Sequence, residues 1–292
     1  MRRLFSTLAL IVLISSPLTH SKETITWVKW KLAPEYIDIG EYAGKGYLDK
    51  FLVYVTERMP EYDHDIKFLT LNSLDRAWDL GHTCSLHLWL GYWPQKIIYS
   101  NPYGFTPRFG IVTKSDSALA LELGVRKSVS LHYLLNNTDY KLGILPFYFR
   151  GSENSRYPLL KDIIRPHLMT DKVRQFTNSR NEMSVNYLVN DRADYVVRMR
   201  ITHYSELVIE DIPDNYRFFL IEEGMNYKKV ASACSNTVFG KKVIKRINSF
   251  IDDDFYMTYL RLRQEWDNDN VLFEKTYNRY FIDNIPNEKV TN

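Results

Sequence analysis

The chain has 292 residues, 45% of them hydrophobic and 25% charged, a balance that excludes a disordered or fibrous polypeptide and suits a packed core. Its formal net charge of +3 gives no support to nucleic-acid binding, because a binder of phosphate backbones concentrates a basic surplus. Lys241, Lys242, Lys245 and Arg246 read instead as the solvated face of one helix.

Arg2 and Arg3 precede an apolar run over 4–14, and Ser15, Ser16, Pro17, Thr19 and Ser21 follow it. This three-part layout predicts a secretory signal cleaved near Ser21, over 1–21. A membrane anchor is the alternative, but the run is about half of the ~20 apolar residues that a spanning helix needs. The mature chain is therefore expected to be exported to the periplasm, with no membrane span. Cys84 and Cys234 are the two cysteines. In an oxidising compartment an even count favours a disulfide, and two separate buried thiols are the alternative.

Residues 25–30 read as a first strand that stops before Pro34. Gly44 and Gly46 lead into a helix whose Tyr47, Leu48, Phe51, Leu52 and Val55 share one face, ended by Pro60. A second strand is expected over 66–71, a short helix from Asn72 or Ser73 through Leu80, and a third strand over 83–90. Strand and helix in alternation argue for parallel sheets covered by helices. Another strand over 109–112 leads into the polar Lys114, Ser115, Asp116 and Ser117, where a lobe boundary is expected. A second alternating unit has strands at 141–145, 173–176, 195–199 and 217–221 and helices at 157–164 and 183–190. The tail holds an amphipathic helix with Val243, Ile244, Ile247, Phe250 and Ile251 on one face, then a cap at 252–254 and a last helix through Trp266.

Several short motifs stand in a familiar order. Pro34 and Tyr36 follow the first strand, 44–49 reads Gly-Lys-Gly-Tyr-Leu-Asp, Asp75, Arg76 and Ala77 open the second helix, and 99–103 reads Tyr-Ser-Asn-Pro-Tyr. In this the chain resembles the bacterial extracellular solute-binding proteins of family 3, the type 2 periplasmic binding proteins that include amino-acid receptors. Trp27, the Gly-x-Gly-Tyr-x-Asp helix start and the two cysteines resemble a poorly characterised subgroup. The resemblance implies an α/β, two-lobed periplasmic-binding-protein-like fold, each lobe a mostly parallel sheet flanked by helices. Residues 22–112 plus 228–292 would form lobe 1 and 113–227 lobe 2, with Cys84 and Cys234 together in lobe 1. It also implies a small-molecule ligand, a transporter or sensor as partner, no cofactor and no catalytic activity.

Two departures qualify the ligand. Amino-acid receptors of this family carry an Arg in a Thr-Pro-Glu-Arg stretch to hold the ligand carboxylate, whereas 90–95 here reads Leu-Gly-Tyr-Trp-Pro-Gln, with Trp93 at or beside the place. The Asp that holds the ligand ammonium gives way to the region of Arg198 and Met199. An ordinary amino acid would leave its buried charges without partners.

Ligands of open α/β sheets lie beyond the carboxyl ends of strands, so the aromatics at those ends are candidates. Tyr36, Trp93, Trp27 and Tyr148 are the candidate ligand contacts, with Trp30, Trp89, Tyr99 and Phe147 nearby in the sequence; core or hinge packing is the alternative for each. Arg150, followed by Gly151 and Ser152, suits an anion-facing turn, with a solvated loop Arg as the alternative, and Arg198 could face the cleft from another strand end. His82 and His87 lack a third ligand, so no metal site is expected, and no nucleotide-binding or nucleophile-elbow motif is present. Glu35 is the first acid to test if the fold serves an enzyme. The remaining alternative is an envelope interaction module with a degenerate cleft.

Overall fold

The computed structural model describes residues 21–70, 73–106, 108–149, 153–176, 185–223, 227–267 and 279–285. The expected signal segment lies outside them apart from Ser21, as do Arg150, Gly151 and Ser152.

The chain begins by alternating, as its pattern predicts. Strand β1 (Thr24–Lys29) is followed by helix α1 (Tyr47–Glu57), strand β2 (Asp63–Phe68), helix α2 (Leu74–Ala77) with a tight turn over Trp78–Leu80, and strand β3 (Thr83–Trp89). The crossover helices let β1 pair in parallel with both β2 and β3. Short strands β4 (Ile97–Tyr99) and β5 (Gly104–Thr106) follow. The first sheet is completed much later by β12 (Lys228–Ser235), giving the order β2-β1-β3-β12-β4, with β5 also on β12.

The second sheet is built from β6 (Phe109–Lys114), β7 (Ser128–Val129), β8 (Leu142–Ile144), β9 (Val173–Gln175), β10 (Tyr195–Met199) and β11 (Tyr216–Ile221), in the order β7-β11-β6-β10-β8-β9, with helices α3 (Ala118–Leu123), α4 (Leu131–Asn137), α5 (Lys161–Ile164) and α6 (Val185–Val189) between its strands. Both sheets are mixed and, as expected, mostly parallel, with five of the six strands in each running the same way. In each, one strand runs against its neighbours: β6 is antiparallel to β10 and β11, and β12 is antiparallel to β3, β4 and β5. These are the strands on which the chain enters each sheet from the other. The division expected after Val112 therefore falls inside β6, which pairs along its length in the second sheet; the crossing precedes Phe109. Arg108 ties the two crossings together by donating from Nη2 to the Ile221 carbonyl at 3.1 Å.

Apolar spacing places the helices. α1 buries Tyr47, Leu48, Phe51, Leu52 and Val55, and Phe51 meets Phe255 at 4.8 Å and Tyr259 at 5.4 Å between ring centroids. Those partners lie on α9 (Asp253–Gln264), whose N-cap Asp252 accepts a hydrogen bond from the Phe255 amide. α8 (Val238–Asn248) buries Val243, Ile244 and Ile247 and is capped by Thr237. Cys84 of β3 and Cys234 of β12 face each other in register and form a disulfide. No helix among the described residues is long and apolar enough to cross a membrane.

Candidate functional site

Close contact between the 34–37 loop and the start of α1 sets one wall of the site. Tyr47 and Leu48 donate their amides to the carbonyls of Pro34 and Glu35, which satisfies two first-turn donors of α1. Asp49 returns the contact by accepting from the Ile37 amide at 2.9 Å and pairing with Lys29 at 2.6 Å. Gly46 is required here: a Cβ would lie 2.4 Å from the Glu35 carbonyl oxygen. The loop so held turns Glu35, 8% exposed, toward the space between the sheets.

The second wall is the turn after β3. Gly91 adopts φ +87° and Trp93 φ +45°, a left-handed conformation unusual for a bulky residue. The Tyr99 hydroxyl accepts from the Tyr92 amide at 2.9 Å and lies within donating distance of the Tyr92 and Trp89 carbonyls. This clasp holds Tyr92 and Trp93 inward. Trp93 packs on Trp78, Tyr92 and Phe149, the last reached from the segment after β8. The Tyr92 hydroxyl donates to the Ser155 carbonyl, a direct link across the two sheets.

Between these walls lies a cavity of about 110 Å³. From the first sheet it is lined by Trp30, Glu35, His87, Trp89, Tyr92 and Trp93, and from the second by Phe109, Phe149, Arg156, Tyr157, Arg198 and Thr202, among others. The lining is mainly apolar. Among the described residues, three buried polar atoms on this wall find no hydrogen-bond partner: His87 Nδ1, Trp93 Nε1 and Arg156 Nε, the last in a side chain engaged elsewhere. Burial first, then the nearby charge of Arg263, holds His87 well below its ordinary pKa, so the ring is neutral. Arg263 itself is engaged by the Phe105 carbonyl and the Tyr259 hydroxyl. Helix α7 (Arg200–Ile209) starts at the same cavity, directly after Arg198 and Met199, with no side-chain cap on its first turn.

Of the residues singled out from sequence, Trp93 and Arg198 line this cavity and Arg150 lies outside the described residues. Trp27, Tyr36 and Tyr148 are not among its lining residues. Trp27 is 1% exposed in the core under α1, where its indole donates to His64 Nδ1 at 2.9 Å. Tyr36 is buried against the edge of Trp30, so the cavity receives its neighbour Glu35 instead. Tyr148 is 37% exposed on the outer side of Phe147. Arg156, Tyr92, Phe149 and His87 were not expected as contacts. Only the alternation along β3, which puts Ser85, His87 and Trp89 on one face, bears a signal for His87.

No family model matches the chain, and neither does any curated protein. Solved structures do match. An ABC uptake transporter substrate-binding protein from Streptococcus pneumoniae, with bound histidine, aligns at TM-score 0.60 and 17% identity over 85% of this chain and 94% of that one. The VFT2 domain of BvgS from Bordetella pertussis, as a double mutant, aligns at 0.58 and 15%, over 84% and 93%. A Streptococcus mutans structure reported for glutathione import aligns at 0.58 and 15%, over 84% and 95%. The fold is thus the two-lobed one of the periplasmic binding proteins.

Proposed function

We propose that this protein is an exported solute receptor whose two lobes close over a small molecule and present the closed form to a membrane transporter or sensor. The lobes are the segments that build the two sheets, and the first 21 residues are the export signal. The observation that carries this reading is the interlobe cavity, lined from both sheets and holding buried polar atoms of His87 and Trp93 without partners. Buried polar groups in folded proteins are almost always hydrogen-bonded, so such atoms at a cavity wall mark places for a ligand. Structural neighbours are described as substrate-binding proteins of ABC transporters, which supports the same role. Trp93 and Arg198 are ligand contacts in this reading, and the role is binding rather than catalysis.

A thermal-shift panel of amino acids, organic acids, sugars, amines and short peptides tests it. A ligand that binds only the native state raises its apparent stability. A saturable shift lost in Trp93→Ala supports the receptor. A folded sample that responds to nothing in the panel favours the second reading, an envelope interaction module. That alternative has its own support in the Trp93 to Phe149 packing and the Tyr92 to Ser155 bond, which join the lobes around a small cavity.

A further inference from the structure

Resting on the receptor reading, we infer that the ligand is a small monocarboxylic acid with an apolar body of one ring or a short branched chain. Three features of the cavity converge on that chemistry. The first is size and wall chemistry. A partly open cavity of about 110 Å³, lined mainly by Trp30, Trp89, Trp93, Phe109, Phe149 and Tyr157, is of the same order as the ~150 Å³ apolar cavity that accepts benzene. A mainly apolar wall of this kind suits an apolar body and would leave most hydroxyls of a sugar without hydrogen-bond partners.

The second feature is the unmet hydrogen bonding. The Trp93 indole can only donate, so its buried Nε1 calls for an acceptor on the ligand. His87 is neutral, and neither of its ring nitrogens finds a hydrogen-bond partner among the described residues. A carboxylate, rich in acceptor sites, answers a donating indole and the N–H of a neutral imidazole together.

The third is charge. The cavity wall carries two guanidinium groups, Arg156 and Arg198, against the single carboxylate of Glu35. Each guanidinium has five N–H donors, so one that already holds a protein partner keeps donors for a ligand. Arg198 and Met199 also lead into the uncapped first turn of α7, where the helix dipole favours negative charge. A carboxylate accepts from such donors, whereas an amine would meet two like charges at the wall.

The test is isothermal titration and tryptophan fluorescence on the purified protein with benzoate, phenylacetate and isovalerate. Benzamide, phenylacetamide, phenethylamine, phenylalanine and glucose serve as counterparts. The expected result is saturable binding of at least one acid, at least tenfold tighter than its amide, with phenethylamine and phenylalanine weaker still. Trp93→Phe replaces the indole by a smaller ring without an N–H, and should weaken the acid at least tenfold while weakening its amide less. Arg198→Gln should erase most of the preference for acid over amide. Equal binding of acid and amide would overturn the inference, as would binding of phenylalanine, phenethylamine or glucose with none of the acids, and both results would leave the receptor reading standing. Silence from a folded sample toward these probes and the wider panel would overturn both.

Discussion

The Tyr92 hydroxyl donates to the Ser155 carbonyl, and this bond joins a turn of the first sheet to a segment of the second. It lies beside the Trp93 and Phe149 contact, so the lobes are clasped at one side of the cavity. Tyr92→Phe removes the hydroxyl and keeps the ring. The expected outcome is a loss of about 1 kcal/mol of stability and a larger radius of gyration in small-angle scattering of the ligand-free protein. An unchanged scattering profile would show that the clasp contributes nothing to closure.

The disulfide makes a separate, covalent demand on the first sheet. Cys84 and Cys234 lie 150 positions apart and are both fully buried between β3 and its neighbours. Chain-entropy arguments for a loop of that length give an upper figure of about 5 kcal/mol, and native disulfides are commonly worth 2–5. The Cys84→Ala, Cys234→Ala double variant should lose stability in that range by urea denaturation. The oxidised protein should also show no free thiol under denaturing conditions.

Gly46 should tolerate no side chain. Gly46→Ala would bring a methyl group to 2.4 Å from the Glu35 carbonyl oxygen and 2.8 Å from Asp49 Oδ2. The first is backbone and already accepts the Leu48 amide, so the loop must shift rather than a rotamer. Overpacking of this kind costs about 1–3 kcal/mol, measured by denaturant unfolding. Because the displaced loop carries Glu35, any ligand found should also bind more weakly.

Acid should weaken the protein through His203. Burial, with Asp214 opposing it and Arg198 adding to it, lowers the His203 pKa from 6.5 to about 4, and its Nδ1 has no hydrogen-bond partner among the described residues. The unfolded chain therefore takes up the proton more readily than the folded one. The neutral ring's contribution is fully present above about pH 6.5 and is lost as pH falls toward 4, by about 3 kcal/mol in all. His87, also held neutral by burial, acts in the same direction. His203→Phe should flatten the acid limb of a stability-against-pH curve; an unaltered limb would assign the effect elsewhere.

Much of the fold was legible because local pattern and tertiary role agreed. The face of α1 from Tyr47 to Val55, the Asp252 cap and the alternation of β1, α1, β2 and β3 all follow from short-range periodicity and capping chemistry. β12 was not anticipated as a strand. It reads Lys-Lys-Val-Ala-Ser-Ala-Cys-Ser, buried on both faces from Val230 onward, and the small residues that fit a crowded central position carry little strand signal. The site was legible only in part. Trp93 and Arg198 stand at strand ends or following turns, where position guides a reader. Trp27 stands on a first-sheet strand too, yet its indole turns to His64, a choice made by a partner 37 residues away. Arg156 and Phe149 reach the cavity through an irregular segment after β8, for which no periodicity exists to read.

The uneven origin of the two sheets sets an order for their assembly. Every strand of the second sheet comes from one continuous stretch, β6 to β11, whereas the first cannot be finished until β12 arrives after that stretch is complete. As the chain emerges, the second lobe can therefore assemble from its own residues while the first remains an open half-sheet. Through that interval Cys84 is an unpaired thiol on a strand lacking one neighbour. Chains halted before Lys228 should accumulate with a folded, protease-resistant core derived from 109–221 and a Cys84 thiol still reactive toward alkylating agents.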